Sequence, residues 1–345
     1  FSKNLMQGTK FNFMGAYKKS YTIWGIAAVL FCLSFLVRGL SKSIDFTGGR
    51  NYVIVLDKET PVEDVRSALR GVFVNTTGVN EGKDATTTAI ALGAASDKTV
   101  RISTNWNIES NDPTVDDQAE NIIYETLKKG NFISQASVDD FKNPDVREGG
   151  SIISSSKVGP SIAKSITRGA IISVILALIA IFLYILVRFR NVAFSIGSIV
   201  ALAFDALIVI GFFSVLWGWV WVPMSLEIDQ TFIGAILTVI GYSINDKVVV
   251  FDRIRENIGL FPKRDRRQLF NESLNQTLAR TINTSVTTLV VLLTIFFLGG
   301  DSIRSFSFAM ILGVVFGTLS SIFIAAPTAY LTMSRKERNE VTPAQ

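Results

Sequence analysis

The sequence predicts a polytopic α-helical membrane protein whose first two helices bracket one α+β outer domain. Three observations carry that prediction. The 345 residues are 48% hydrophobic and 18% charged, and their apolar residues fall in long blocks instead of being spread over soluble cores. Lys and Arg cluster in alternate links between those blocks. The long polar stretch after the first block alternates strand and helix signals. The net charge of +5 is small, and the basic residues flank apolar blocks, which reads as topology and not as nucleic-acid binding. One cysteine, Cys32, and no histidine leave neither an intrachain disulfide nor a multi-cysteine metal site, and no cofactor is expected. Any proton relay must rest on carboxylates, hydroxyls or water.

A helix needs roughly 20 apolar residues to cross a bilayer, and six blocks qualify: about 21–37, 169–187, 192–216, 230–251, 278–298 and 303–332. The first starts near Tyr21 and is too long for the apolar region of a cleavable signal. Lys18 and Lys19, Arg188 and Arg190, the cluster from Arg253 to Arg267, and Arg335 to Arg338 mark one side as cytoplasmic. The links Trp217–Asp229 and Gly299–Ser302 carry no Lys or Arg, and Trp217, Trp219 and Trp221 read as an aromatic belt on the outer side. The expected organisation is a cytoplasmic segment 1–20, a first helix 21–38, a periplasmic domain 39–168, a five-helix bundle 169–332 with a basic cytoplasmic loop near 252–277, and a cytoplasmic tail 333–345.

Within the outer domain, Arg50–Leu56 suits a strand. Thr60, Pro61 and Glu63 supply an N-cap, a first-turn proline and a capping-box glutamate for a helix ending near Arg70. Two strands, Thr88–Leu92 and Val100–Ile102, read as a hairpin, and Thr114 caps a second helix closed by Lys128, Lys129 and Gly130. Phe132–Val138 completes the order strand-helix-strand-strand-helix-strand, the ferredoxin-like pattern, and Ser151–Val158 is an extra strand leading back to the membrane. Further on, Lys263–Leu278 is amphipathic, a helix lying on the inner membrane surface or a plain connector.

The candidate functional residues are intramembrane charges. A carboxylate at mid-span costs roughly 2.5–3.5 kcal/mol on insertion scales, so its presence asks for a function. Asp246 sits in the fourth block on a stripe of small and polar residues, Gly234, Ala235, Thr238, Tyr242, Asn245 and Asp246. The fifth block carries a second stripe, Arg280, Asn283, Thr284, Thr287 and Thr288, and facing stripes would let Asp246 pair with Arg280. Burial raises a carboxylate's proton affinity and a guanidinium lowers it, so separating the helices would let such an acid load and release a proton. Asp205 in the third block is a proton carrier or a static helix–helix contact. Lys247 reads as a snorkelling cation and Gly313-x-x-x-Gly317 as close helix packing. Asp45, Gly48 and Gly49 form a turn as the chain leaves the membrane. An aspartyl protease using Asp205 and Asp246 is disfavoured, because an arginine near one acid works against a shared proton.

Three stretches together resemble the SecF family, the smaller half of the SecDF protein-export auxiliary of bacteria: IDFTGG at Ile44–Gly49, GYSINDKVVVFDRIREN at Gly241–Asn257, and NQTLARTINTSVTT at Asn275–Thr288. Lys247 stands where that family usually carries a threonine, and Phe204 where many relatives have a histidine. The resemblance implies an RND-like half bundle that pairs with SecD, as a separate chain or one fused upstream, a reading with which a start at Phe1 agrees. It implies work with the SecYEG channel on translocating preproteins, driven by the proton-motive force across the bacterial inner membrane. YajC is a further partner candidate, and membrane lipids surround the bundle. Asp246 and Arg280 match the family's residues tied to proton conduction. The alternative is half of an RND-type small-molecule efflux transporter, against which a single ferredoxin-like unit argues.

Overall fold

A computed structural model gives the architecture; the residues it describes are 11–333 except 79, 93–97, 111, 218–225 and 300. In chain order the elements are α1 (Phe13–Arg38), α2 (Ile44–Thr47), β1 (Gly49–Val55), α3 (Val62–Leu69), β2 (Thr87–Ala91), β3 (Thr99–Thr104), α4 (Val115–Lys129), α5 (Val138–Lys142) and β4 (Ser151–Val158). Then come α6 (Pro160–Phe189), α7 (Val192–Leu216), α8 (Gln230–Leu260), α9 (Arg266–Leu298), α10 (Asp301–Ser320), a π turn (Ser321–Ala325) and α11 (Ala326–Thr332). Six helices are long and apolar enough to cross a membrane, the sixth combining α10, the π turn and α11.

Most helices outrun their apolar blocks because polar residues start them. Asn12 accepts from Gly15 N at 2.7 Å, Asn191 from Ala193 N at 2.8 Å, Asp229 from Phe232 N at 2.7 Å and Asp265 from Gln268 N at 3.0 Å. The Asp265 cap corrects one expectation. Residues 263–278 do not form a separate surface helix; from Arg266 they are the first half of α9, with Leu269, Phe270 and Leu274 buried. Asn271 and Asn275 there accept from Met14 N and Phe11 N at 3.1 and 2.9 Å and hold the start of α1.

In lipid, apolar area does not drive helices together, so small residues mark the contacts. A Cβ at Gly197 of α7 would lie 2.6 Å from Ala325 O, and one at Gly317 of α10 would lie 3.0 Å from Ser243 Cβ on α8. Gly313 meets Val239 in the same way, so the Gly-x-x-x-Gly pair is close packing of α10 on α8. The π turn follows from Pro327, which has no N–H to offer Phe323 O. Ser20 Oγ on α1 donates to that carbonyl at 3.3 Å, and the Tyr21 hydroxyl donates to Ile324 O at 3.5 Å.

The outer domain carries a four-stranded antiparallel sheet in the order β2-β3-β1-β4, with Tyr52 opposite Ile102 and Arg50 opposite Lys157. This is the ferredoxin-like arrangement, but its last strand is Ser151–Val158, not Phe132–Val138. Residues 132–137 make only scattered bonds, Asp57 N to Phe132 O and Ser134 N to Gly149 O, and bury Ile133 before α5 begins. The edge of β1 is already taken by β4. Two caps also differ. Pro61, not Thr60, is the N-cap of α3, and Glu63 pairs with Arg66. Thr114 makes no side-chain cap; its hydroxyl accepts from Gln118 Nε2. Strand side chains alternate: Tyr52, Ile54, Val100 and Ile102 face α3 and α4, packing on Leu69, Ile123 and Leu127. Asn51, Arg101 and Ser103 line a cavity shared with α2 and the start of α8.

Candidate functional site

The two intramembrane acids lie on neighbouring helices in different surroundings. Asp246 is 3% exposed, on the face of α8 that meets α10. Thr318 Oγ1 lies a long 3.4 Å from Asp246 Oδ2 and shares its one proton between that oxygen and Val314 O at 2.8 Å. Thr318 lies 2.6 Å from Ser285 Oγ on α9, so a string of hydroxyls leads from the acid across three helices.

Asp205 is fully buried on α7, and its partner is Lys247. The expectation of a snorkelling lysine is overturned. Lys247 is fully buried, its Nζ donating to Asp205 Oδ2 at 2.9 Å, to Ser320 Oγ at 3.2 Å, and to Ser243 Oγ. Ser243 Oγ in turn donates to Asp205 Oδ2 at 2.6 Å. One helical position after Asp246 turns the side chain about 100° round the axis, away from α9 and onto α7. Asp205 Oδ1 has no hydrogen-bond partner among the described residues. This ion pair ties α7, α8 and α10 together. Its sequence signal was an opposite charge on a neighbouring span and a serine four residues before the lysine.

Arg280 is exposed on α9, and neither an ion pair nor a hydrogen bond joins it to Asp246 among the described residues. Among the described residues the two stripes meet at one hydrogen bond, Tyr242 O–H to Thr288 Oγ1 at 3.2 Å. Thr284 and Thr287 bond back to Thr281 O and Asn283 O of their own helix. Gly234, Thr238, Gly241 and Asn245 on α8, with Arg280, Asn283 and Thr287 on α9, face outward from this chain. The inner end of the fourth-block motif is occupied structurally. Arg253 and Asn257 bond Gln276 on α9, and Asp252 pairs with Arg188 and Arg255 at 3.3 and 3.4 Å.

The turn at Asp45, Gly48 and Gly49 joins the outer domain to α8. Gly48 and Gly49 have φ of 77° and 157°, and a Cβ at Gly49 would lie 2.6 Å from Thr104 O. Only glycine lets the chain pass there into β1. Asp45 Oδ2 accepts from Gln230 N, the first residue of α8, at 3.3 Å, and Lys42 forms a bridge with Ile228. Asp45 also lines the junction cavity of about 90 Å³ with Arg101, Glu227 and Asp229. Burial pushes the Glu227 carboxyl up, against the Thr88 hydroxyl and the Arg101 charge. Of the aromatic belt, Trp217 caps α7 and its carbonyl accepts from Arg38 Nη2; Trp219 and Trp221 lie outside the described residues. Among the described residues no His, Cys, Asp and Glu cluster could hold a metal ion.

Comparison with known proteins bears on this geometry. Residues 141–335 match the family described as protein export membrane protein SecD/SecF, C-terminal, and residues 33–60 match the SecD/SecF GG motif, which contains Asp45, Gly48 and Gly49. The chain is 38% identical to protein translocase subunit SecF of Rhodothermus marinus, over 94% of this chain and 93% of that one. It is 34% identical to the SecF of Haemophilus influenzae, over 94% of this chain and 87% of that one. The crystal structure of SecDF from Thermus thermophilus, a translocon-associated membrane protein, superposes with a TM-score of 0.71 at 30% identity, covering 95% of this chain and 39% of the larger one. The membrane bundle with its single outer domain, the glycine turn and the fourth-helix motif thus belong together, and the chain is a multi-pass membrane protein of the SecD/SecF protein-export family.

Proposed function

We propose that the chain is the SecF-type subunit of a protein-export assembly and that Asp246 gains and loses a proton to couple the proton-motive force to translocation. The observation that supports this reading is a carboxylate 3% exposed in an apolar helix whose one hydrogen bond among the described residues is a long contact to a hydroxyl. Its neighbour Asp205 has a lysine of its own; Asp246 does not. A side chain held so loosely is free to exchange a proton when its surroundings shift, and an intramembrane acid without a fixed partner is expected in a proton path. Asp205 and Arg280 complete the proposed pathway, with Tyr242, Asn245, Asn283, Thr284 and Thr287 as its polar lining.

The relatives support a set of partners. The Thermus SecDF chain is matched over 40% of its length; we assign the larger remainder, a SecD part, as the partner, separate or fused upstream. The outward stripe from Gly234 to Asn245, with Arg280 and Asn283, is the surface that half would cover. SecYEG, with YajC beside it, and emerging preproteins complete the assembly. The arginine and lysine asymmetry supports cytoplasmic termini, and a bacterial inner membrane is the proposed location. The role is transport and not covalent catalysis.

The test uses the chain reconstituted with its SecD partner and the Sec channel in proteoliposomes. Asp246→Asn should keep the assembly intact but abolish both proton uptake and the gradient-stimulated part of export. Export still stimulated by a gradient in that variant would overturn the reading.

A further inference from the structure

One cavity takes no part in the chemistry above. It is a groove of about 440 Å³ on the membrane face, between α1, α7 and the sixth helix. Small residues of α1, Ala16 and Ala27, make its floor, and Trp24, Phe212, Phe316 and Phe323 stand along its sides. Its one charged lining residue is Lys19.

Its shape decides what fits. From Lys19 to Phe31, α1 rises about 18 Å at about 1.5 Å per residue. One leaflet of the hydrocarbon core is about 15 Å deep, half of about 30 Å. That length suits a single extended hydrocarbon chain lying in the groove. Its volume falls in the range of about 300–1,000 Å³ typical of small-molecule sites.

Charge decides which hydrocarbon chain. Lys19 lines the groove, Lys18 precedes it in α1, both are exposed, and neither has an acidic partner among the described residues. α1 contains no Asp or Glu. In the orientation proposed above, these lysines lie at the cytoplasmic headgroup level, where basic residues beside a helix attract anionic lipid. We propose that the groove binds one acyl chain of an anionic phospholipid, with the phosphate held by Lys19 and assisted by Lys18. A bound chain would lie against Phe323 of the π turn and against Phe316, which meets Trp24 edge-on at 5.8 Å between ring centres.

Trp24, 9% exposed and in the groove wall, supplies the readout. The full chain is placed in phosphatidylcholine nanodiscs containing increasing fractions of bromine-labelled phosphatidylglycerol or bromine-labelled phosphatidylethanolamine. Quenching of Trp24 is isolated by difference from Trp24→Phe. Phosphatidylglycerol should half-quench at a mole fraction at least about fivefold below phosphatidylethanolamine. Lys19→Gln should remove about fivefold of that preference, Lys18→Gln with Lys19→Gln should remove it entirely, and Ala27→Phe should reduce quenching by both lipids. A melting temperature unchanged from the parent chain in Lys19→Gln separates lost binding from lost folding. Equal half-quenching by the two lipids, or a preference undiminished in Lys19→Gln, overturns the proposal. So does an absence of quenching by either lipid, which a protein helix or a second copy seated on the groove would give.

Discussion

Replacing Lys247 by methionine removes the charge and keeps most of the volume. It leaves Asp205, fully buried on α7, with Ser243 as its remaining donor and with an oxygen that already lacks a partner. Breaking a buried ion pair by removing one member costs about 3–5 kcal/mol, because the other charge stays desolvated. That is about a hundred- to several-thousand-fold in the folding equilibrium. Removing both charges together, as Asp205→Leu with Lys247→Met, should return stability to within about 1 kcal/mol of the parent, since apolar replacements of buried pairs are often neutral. Ser320→Ala, which removes one hydroxyl from Lys247, should cost only about 0.6 kcal/mol, the average for interhelical hydrogen bonds in a membrane. The assay is a double-mutant cycle from denaturant unfolding in detergent micelles, read by far-UV circular dichroism. A single variant that loses less than the serine variant would refute the reasoning, and so would a double variant as damaged as either single one.

Three further outcomes follow from the same geometry. Gly49→Ala puts a Cβ 2.6 Å from Thr104 O at a φ of 157° and should destabilise the chain by about 1–3 kcal/mol, seen as early proteolysis between β1 and β3. Asp116 titrates in the outer domain. Burial pushes its carboxyl up, but the hydrogen bond and charge of Arg50, with Lys157, outweigh that and hold it below the usual carboxylate range. A depressed carboxyl contributes stability above its unfolded value of about 3.9 and loses it as pH falls through the folded value. Acid unfolding of the outer domain should therefore lose part of its pH dependence in Asp116→Asn, as read by tryptophan fluorescence. Ser20→Ala should cost about 0.5–1.5 kcal/mol in the parent but almost nothing beside Pro327→Ala, where a restored N–H serves Phe323 O. Equal costs in both backgrounds would show that the hydroxyl does not satisfy that carbonyl.

Much of this fold is legible in the residues because the membrane leaves few alternatives. Blocks such as 192–216 have to be helical in lipid, where each backbone group needs an internal partner. The βαββαβ order was readable from alternation, yet Phe132–Val138 was misread because Phe132 and Ile133 are apolar for a different reason. Ile133 fills the core beneath α5 while β4 takes the sheet edge. Position along a helix was readable, but rotation about its axis was not. Lys247 looked like an interfacial cation because its partner, Asp205, lies 42 residues away on another helix. Polar stripes on the two helices suggest that Arg280 and Asp246 pair, but the turn of α9 leaves the arginine exposed. Asp45 reads as a turn residue because nothing local announces that its carboxylate meets Gln230.

That last contact changes how the two halves of the molecule move relative to each other. Asp45 holds the outer tip of α8, and only Phe46, Thr47 and Gly48 separate it from the sheet. Asp246 lies 16 residues down the same rod, about 24 Å from Gln230. A step taken by the helix at the depth of the acid would therefore be carried along the rod to the glycine doorway and the strand beyond it.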